Sequence, residues 1–152
     1  MDIPCPDCGH AARPSTEEER NRFGNVELVS PSRTLVCSHC HHAFTSAKRS
    51  RALDLDIARK LAEVGARGKE AFRFMRRALG YTAAELSELL GVEPETLSRW
   101  ENGKRAIPSC PMVLMASLVL DRSRRRNSMV PRLRAVVSRA EAPDAPLHVT
   151  RV

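Results

Sequence analysis

Aromatic side chains are scarce. Trp, Tyr and Phe make up 4% of the 152 residues, with one tryptophan and one tyrosine. That excludes a large aromatic-rich core, although a hydrophobic content of 42% lies within the globular range. Long apolar runs are also missing. The most apolar stretch, Met112 to Leu120, is far shorter than the roughly 20 residues needed to cross a bilayer. The opening MDIPCPDCGH has none of the apolar character of a signal peptide. These absences predict a cytoplasmic protein with no membrane partner. In that reducing compartment the five cysteines need a use other than disulfides. No candidate general base stands out either, and no catalytic constellation accompanies the cysteines, so an enzyme is not expected.

The charge that is present is unevenly placed. The net charge is +7, yet residues 1–45 carry 4 basic and 6 acidic groups. Residues 46–67 carry 6 and 3, residues 68–108 carry 7 and 6, and residues 109–152 carry 8 and 3. The excess lies in the middle and the tail, which points to an anionic partner, nucleic acid before membrane. The length suits one modest domain or two small ones with separate cores.

Four cysteines form two pairs, Cys5-Pro-Asp-Cys8 and Cys37-Ser-His-Cys40, separated by 28 residues. Each C-x-x-C turn brings two thiolates to one metal, and two such turns complete a tetrahedral site. One structural Zn²⁺ per chain, held by Cys5, Cys8, Cys37 and Cys40, is predicted; thiol redox chemistry and a rubredoxin-like iron site are the rivals. Four thiolates close the shell, whereas a catalytic zinc keeps an open position. Gly9 suits a tight knuckle after the first pair. His39, His41 and His42 crowd the second pair and offer substitute ligands, but with four cysteines available they read as solvated or surrounding groups. Between the pairs, "RPSTEEERN" reads as loop, and "FGNVELV" and "RTLVC" as short strands. This segment has too few apolar residues to fold alone, so metal binding and folding should be one event.

From Ser46 the composition turns helical. Leu53, Ile57, Leu61 and Val64 make one apolar face over roughly residues 50–64, read as a linker helix ending at "GARG". Next, "KEAFRFMRRALG" places Phe72, Met75 and Leu79 on one stripe. "TAAELSELLG" opens with a capping box, Thr82 with Glu85, and stops at Gly91. A third segment has Pro94 at its first helical position, buries Leu97 and Trp100, and stops at Asn102-Gly103. Two short helices joined by a glycine turn match a helix-turn-helix.

Residues 74–108, "FMRRALGYTAAELSELLGVEPETLSRWENGKRAIP", resemble the Xre/Cro-type helix-turn-helix. Together with the CxxC…CxxC segment, the chain from about residue 5 to 121 resembles the MqsA/YgiT-type antitoxins of bacterial toxin–antitoxin pairs. The resemblance, which does not cover the basic, partly disordered tail (122–152), implies a mostly α protein: a small zinc-stabilised α+β or β-ribbon module (1–46), a linker helix (47–67) and a five-helix-like Xre domain (68–121). It also implies that Glu101 pairs with Arg76 as a structural pair. Glu95 and Arg99 fall at base-reading positions, with Thr96 and Asn102 toward the groove or its rim. Lys104 and Arg105 are expected on the DNA backbone. Many relatives carry glutamine where Ala83 stands, leaving Thr82 and backbone N–H groups to hold a phosphate. Glu93 and Glu95 also flank the helix N-terminus, where negative charge is favoured.

The segment "PMVLMASLVLD" is apolar nearly all round. One side closes the helix-turn-helix core; the other predicts self-association, since Xre-like proteins read two-fold sites as dimers, with intramolecular burial as the rival. Arg122, Arg124, Arg125, Arg126, Arg132, Arg134 and Arg139 follow without an intervening acid. They read as an arm on phosphates, a toxin-binding segment or a solvated helix, and "EAPDAPLHVTRV" reads as disordered. The expected function is a homodimeric repressor on a palindromic double-stranded operator. In the antitoxin form its zinc module grips a toxin; the alternative is a stand-alone Xre-family regulator without one.

Overall fold

The structure, a computed structural model, describes residues 3–24, 26–126 and 128–137. Arg139 and the segment expected to be disordered, 141–152, lie outside the described residues. The N-terminal part holds a four-stranded antiparallel sheet, β1 (Ile3–Pro4), β2 (Ala11–Pro14), β5 (Thr34–Cys37) and β6 (Ala43–Thr45), in the order β1-β2-β5-β6. A separate hairpin joins β3 (Glu18–Phe23) and β4 (Val26–Pro31). Six helices follow among the described residues: α1 (Ala47–Glu63), α2 (Lys69–Ala78), α3 (Ala83–Leu90), α4 (Pro94–Glu101), α5 (Ser109–Ser123) and α6 (Met129–Val137). The chain is a small β module with a cysteine cluster beside a helical domain, as its class predicts.

The stretch expected as loop between the cysteine pairs is mostly strand. β3, EERNRF, escapes an apolar pattern because one of its faces is solvent and the hairpin has no second layer of its own. Its last residue explains its placement. Phe23 is buried in the same apolar cluster as the helices, edge-to-face with Phe74 of α2 at 4.9 Å between ring centroids. Val26 and Leu28 of β4 pack against that cluster too. Burying Phe23 contributes about 1.5–3 kcal/mol to holding the hairpin on the helices. The hairpin therefore shares the helical core, while the buried Cys5, Ala12, Leu35 and Cys37 of the cysteine-bearing sheet region lie outside that cluster.

The α1 segment, read as a linker, is also part of this core. Ile57, Ala58, Leu61 and Ala62 are buried, and α1 packs on both α2 and α5. Val64, expected on the same stripe, caps the helix and is exposed. The second apolar side of α5 thus has an intramolecular cover, which removes the argument for self-association that rested on that side. The rival expectation, intramolecular burial, is what the packing of α1 on α5 supplies. Val113 remains as an exposed apolar side chain on α5.

The basic tail does not simply leave the domain. Asp121 at the end of α5 accepts from Ser128 Oγ (3.0 Å) and from the backbone N–H of Met129 (3.1 Å), capping α6, which packs on α3 and α5. Met129, Val130 and Leu133 supply its apolar contacts.

Ties also run across the chain through Arg33, in the turn between β4 and β5. Its guanidinium meets Glu19 of β3 and, at 2.6 Å, Asp54 of α1, and its backbone N–H donates to Glu19 at 2.7 Å. That N–H, with the guanidinium beside it, holds the Glu19 carboxyl below the usual range.

Candidate metal centre and nucleic-acid interface

Two similar knuckles build the cysteine cluster. In the first, Cys5 N–H donates to His10 O and Gly9 N–H to Cys5 O; in the second, Cys37 N–H donates to His42 O and His41 N–H to Cys37 O. Each turn needs a left-handed residue just after its second cysteine. Gly9 has φ of 74° and His41 has φ of 59°. Glycine adopts this conformation without steric cost, which is why the first knuckle is readable from sequence. His41 performs the same backbone role with a side chain that hides it.

The four sulfurs converge. Cys5 and Cys40 lie 3.7 Å apart, Cys8 and Cys37 3.4 Å, and Cys8 and Cys40 3.4 Å, with all four within 4.8 Å of one another. Four thiolates on a tetrahedral zinc at about 2.3 Å would stand ~3.8 Å apart, so the donor set and its spacing fit that ion. The thiols differ in their electrostatic surroundings. Backbone N–H groups of Cys40 and His39 help pull the Cys37 thiol down to about 6. Cys40 receives an N–H from His42, yet the neighbouring sulfurs and burial push it up to about 12. Three nearby histidines have other contacts: His10 stacks on His39 at 4.1 Å, and His42 Nδ1 meets Asp7 Oδ2 at 3.1 Å, joining one knuckle to the other.

The helix-turn-helix begins with the capping box. Thr82 Oγ1 accepts from Glu85 N–H at 3.2 Å, and Glu85 Oε2 accepts from Thr82 N–H at 2.8 Å. The second of these bonds holds the Glu85 carboxyl below its ordinary range. The Thr82 hydroxyl also donates to Glu85 Oε2 at 2.8 Å, so its capacity is spent on the helix rather than left for a phosphate. Thr82→Ala should destabilise the domain by about 1 kcal/mol, read as a shift in the urea midpoint at constant slope. An unchanged midpoint would show that this cap does not support α3.

At the far end of α3, Gly91 takes the left-handed conformation and turns the chain into α4. Leu97 and Trp100 are buried, which fixes the rotation of α4. Glu101 also faces inward. Its carboxylate accepts from Arg76 Nε at 2.5 Å and Nη2 at 2.9 Å, while Arg76 Nη1 donates to the Tyr81 carbonyl at 2.7 Å. This fork of buried bonds ties α4 to α2.

The opposite side of α4 is open. Arg99 Nη2 donates to Glu95 Oε1 at 2.7 Å, one helical turn away, with side chains 54% and 76% exposed. Thr96 is half-buried beside them. Asn102 folds back, Nδ2 donating to the Ser98 carbonyl at 2.9 Å, and so completes the helix end. Lys104 and Arg105 are exposed immediately beyond. The structure thus gathers Glu95, Thr96 and Arg99 on α4 with Lys104 and Arg105 at its end, while the hydroxyl of Thr82 and the amide of Asn102 already have intramolecular partners.

No helix among the described residues is long and apolar enough to cross a membrane. No curated protein matches the chain. Residues 72–123, from α2 to the end of α5, match the helix-turn-helix family. Beside its four-cysteine cluster, this chain therefore carries at 72–123 an Xre-type helix-turn-helix, the domain of a DNA-binding transcription regulator.

Proposed function

We propose that the chain is a zinc-stabilised repressor that binds a two-fold DNA site as a homodimer and reads it with α4. The observation that carries this reading is the exposed Glu95–Arg99 pair on a helix whose inner face is pinned by Trp100 and the Arg76–Glu101 fork. A rigid inner face and an open outer one are what major-groove insertion requires. Arginine can make two bonds to guanine O6 and N7. Glu95 holds one edge of the Arg99 guanidinium, pre-orienting the other, and its own carboxylate repels phosphate and favours a cytosine amino group. Lys104, Arg105 and the free N–H groups at the start of α3 meet phosphates, with Thr82 contributing through its backbone position rather than its hydroxyl. Thr96 lies at the groove, and Asn102 helps shape the rim.

The cysteine cluster takes one structural Zn²⁺ per chain and sets the shape of the β module. The pairing of that module with this helix-turn-helix in one chain supports the antitoxin form of the reading, in which the module's outer surface holds a toxin. The hairpin's burial against α2 favours the second form, a stand-alone regulator in which the module is structural support. Dimer contacts would use surface outside the α1–α5 seam, with exposed Val113 as a candidate.

The test is footprinting of the purified, zinc-loaded protein on DNA upstream of its own reading frame. Protection of two half-sites about one helical turn apart is expected. Protection that follows no sequence, or none at all, would overturn the reading. Co-purification with the product of the neighbouring reading frame decides between the two forms.

A further inference from the structure

Four arginines, Arg122, Arg124, Arg125 and Arg126, gather within five residues where α5 turns into α6, and all of them are exposed. Among the described residues none has an acidic partner within ion-pair distance. The acid at this turn, Asp121, uses its carboxylate on Ser128 Oγ and the Met129 N–H as the cap of α6. On the α5 side, Arg126 N–H donates to Asp121 O at 3.0 Å and Arg125 N–H to Arg122 O at 3.1 Å. These are the paired bonds of a helix that ends through a left-handed residue, so the turn is fixed at both ends.

That left-handed residue is Arg125, with φ of 55°. The four helices before it turn at Gly65, Gly80, Gly91 and Gly103, whose φ angles lie between 66° and 80°. Glycine takes this conformation without steric cost, and arginine does not. A glycine would serve the fold better, so what arginine supplies at this position is its charge.

The packing of α6 places the turn beside the start of α3. Arg122 and Val130 share a small depression with Leu79 and Tyr81, and Tyr81 immediately precedes the cap Thr82. At the other end of α6, Val137 lies against Gly91, its methyls 3.3 Å from where a Cβ there would stand. Thus α6 runs along α3 in the same direction, and its arginine-bearing entrance lies at the end of α3 that carries open N–H groups. The acids of α3, Glu85 and Glu88, line the seam farther along, with Arg134 and Val137.

We propose that the α5–α6 turn is a second DNA-backbone contact: Arg124, Arg125 and Arg126, with Arg122 beside them, grip phosphates next to those held by the start of α3. This rests on the DNA-binding reading above, and it extends the contact surface past residue 123, where the match to the helix-turn-helix family ends. Cations without acidic partners, held by a fixed turn beside the helix pair that docks on DNA, complement a line of phosphates. Such contacts add affinity that does not depend on sequence, and α4 keeps the choice of bases.

The zinc-loaded full chain is titrated on operator and scrambled duplexes at several salt concentrations. Arg124→Gln, Arg125→Gln and Arg126→Gln made together should weaken both duplexes alike and lower the salt slope by roughly two to three units. The preference at the base pair read by Arg99 should stay as it is. Arg125→Gly removes one charge and relieves the left-handed strain. It should lower the slope by about one unit while its thermal midpoint does not fall below that of the wild type. Weaker binding with an unharmed fold is what a merely structural turn would not give. An unchanged slope in the triple variant or in Arg125→Gly overturns the contact and leaves the reading of α4 standing. A triple variant that keeps its slope but no longer co-purifies with the product of the neighbouring reading frame assigns the patch to a protein and also overturns the proposal. A wild type that binds both duplexes equally overturns the functional reading, and the slopes still decide the contact; one that binds neither overturns both.

Discussion

Cys37→Ser is expected to release the metal and to weaken the protein well beyond the β module. Cys37 is fully buried at the end of β5, where that strand pairs with β2, and its sulfur lies 3.4 Å from that of Cys8. Removing one of four thiolates breaks the closed shell, and structural zinc sites carry roughly 10–16 kcal/mol of apparent binding free energy in small folded units. The same sheet continues into the turn bearing Arg33, which holds Asp54 of α1, while Phe23 packs in the helical core. Loss of the module therefore uncovers part of that core. Metal content should fall from one zinc per chain to a small fraction, and the urea midpoint of the helical signal should fall with it. A variant that keeps a stoichiometry of one would remove Cys37 from the ligand set. A variant that loses zinc and keeps the helical midpoint would show that the shared core contributes little.

Glu101→Ala carries the second large effect. The pair with Arg76 is about nine-tenths buried on both sides, so removing the carboxylate leaves an arginine in the interior with only the Tyr81 carbonyl for company. Breaking such a pair costs about 3–5 kcal/mol, most of it the penalty of the stranded charge rather than the worth of the pair. The double variant Arg76→Ala with Glu101→Ala should recover part of that loss, because neither charge is then left alone. Equilibrium unfolding of the two single variants and the double one measures the coupling. Strict additivity would mean that the two side chains act independently.

The elements most legible in the sequence are those governed by neighbours along the chain. The Thr82–Glu85 box, Pro94 at the start of α4 and Gly91 between two short helices are local chemistry, and they lie where the structure has helix ends. The C-x-x-C turns are legible for the same reason, since two residues suffice to bring two sulfurs together. What could not be read depends on distant partners. β3 has a strand's backbone without a strand's composition, because only Phe23 at its end meets the core. The second apolar side of α5 suggested a missing partner and α1 read as a linker, and nothing in either segment names the other. His41 takes a glycine's conformation, which its residue type conceals.

The Arg-rich segment after α5 also changes how its role is tested. Because Asp121 caps α6 and α6 covers α3, truncation at residue 122 would disturb the helix-turn-helix itself. Neutralising the exposed Arg124, Arg125 and Arg126 with glutamine leaves that packing in place and isolates their charge.

The central claim is that α4 reads bases through Arg99 while Lys104 and Arg105 hold the backbone. Binding titrations of wild type, Arg99→Ala and Lys104→Gln on operator and scrambled duplexes, each at several salt concentrations, test it directly. Arg99→Ala should lose roughly 1–3 kcal/mol on operator, little on scrambled DNA, and its preference at one base pair of each half-site. Lys104→Gln should weaken both duplexes alike and reduce the salt slope by about one unit. If Arg99→Ala weakens both duplexes equally and lowers the salt slope, Arg99 is a phosphate contact and α4 does not face the bases as described.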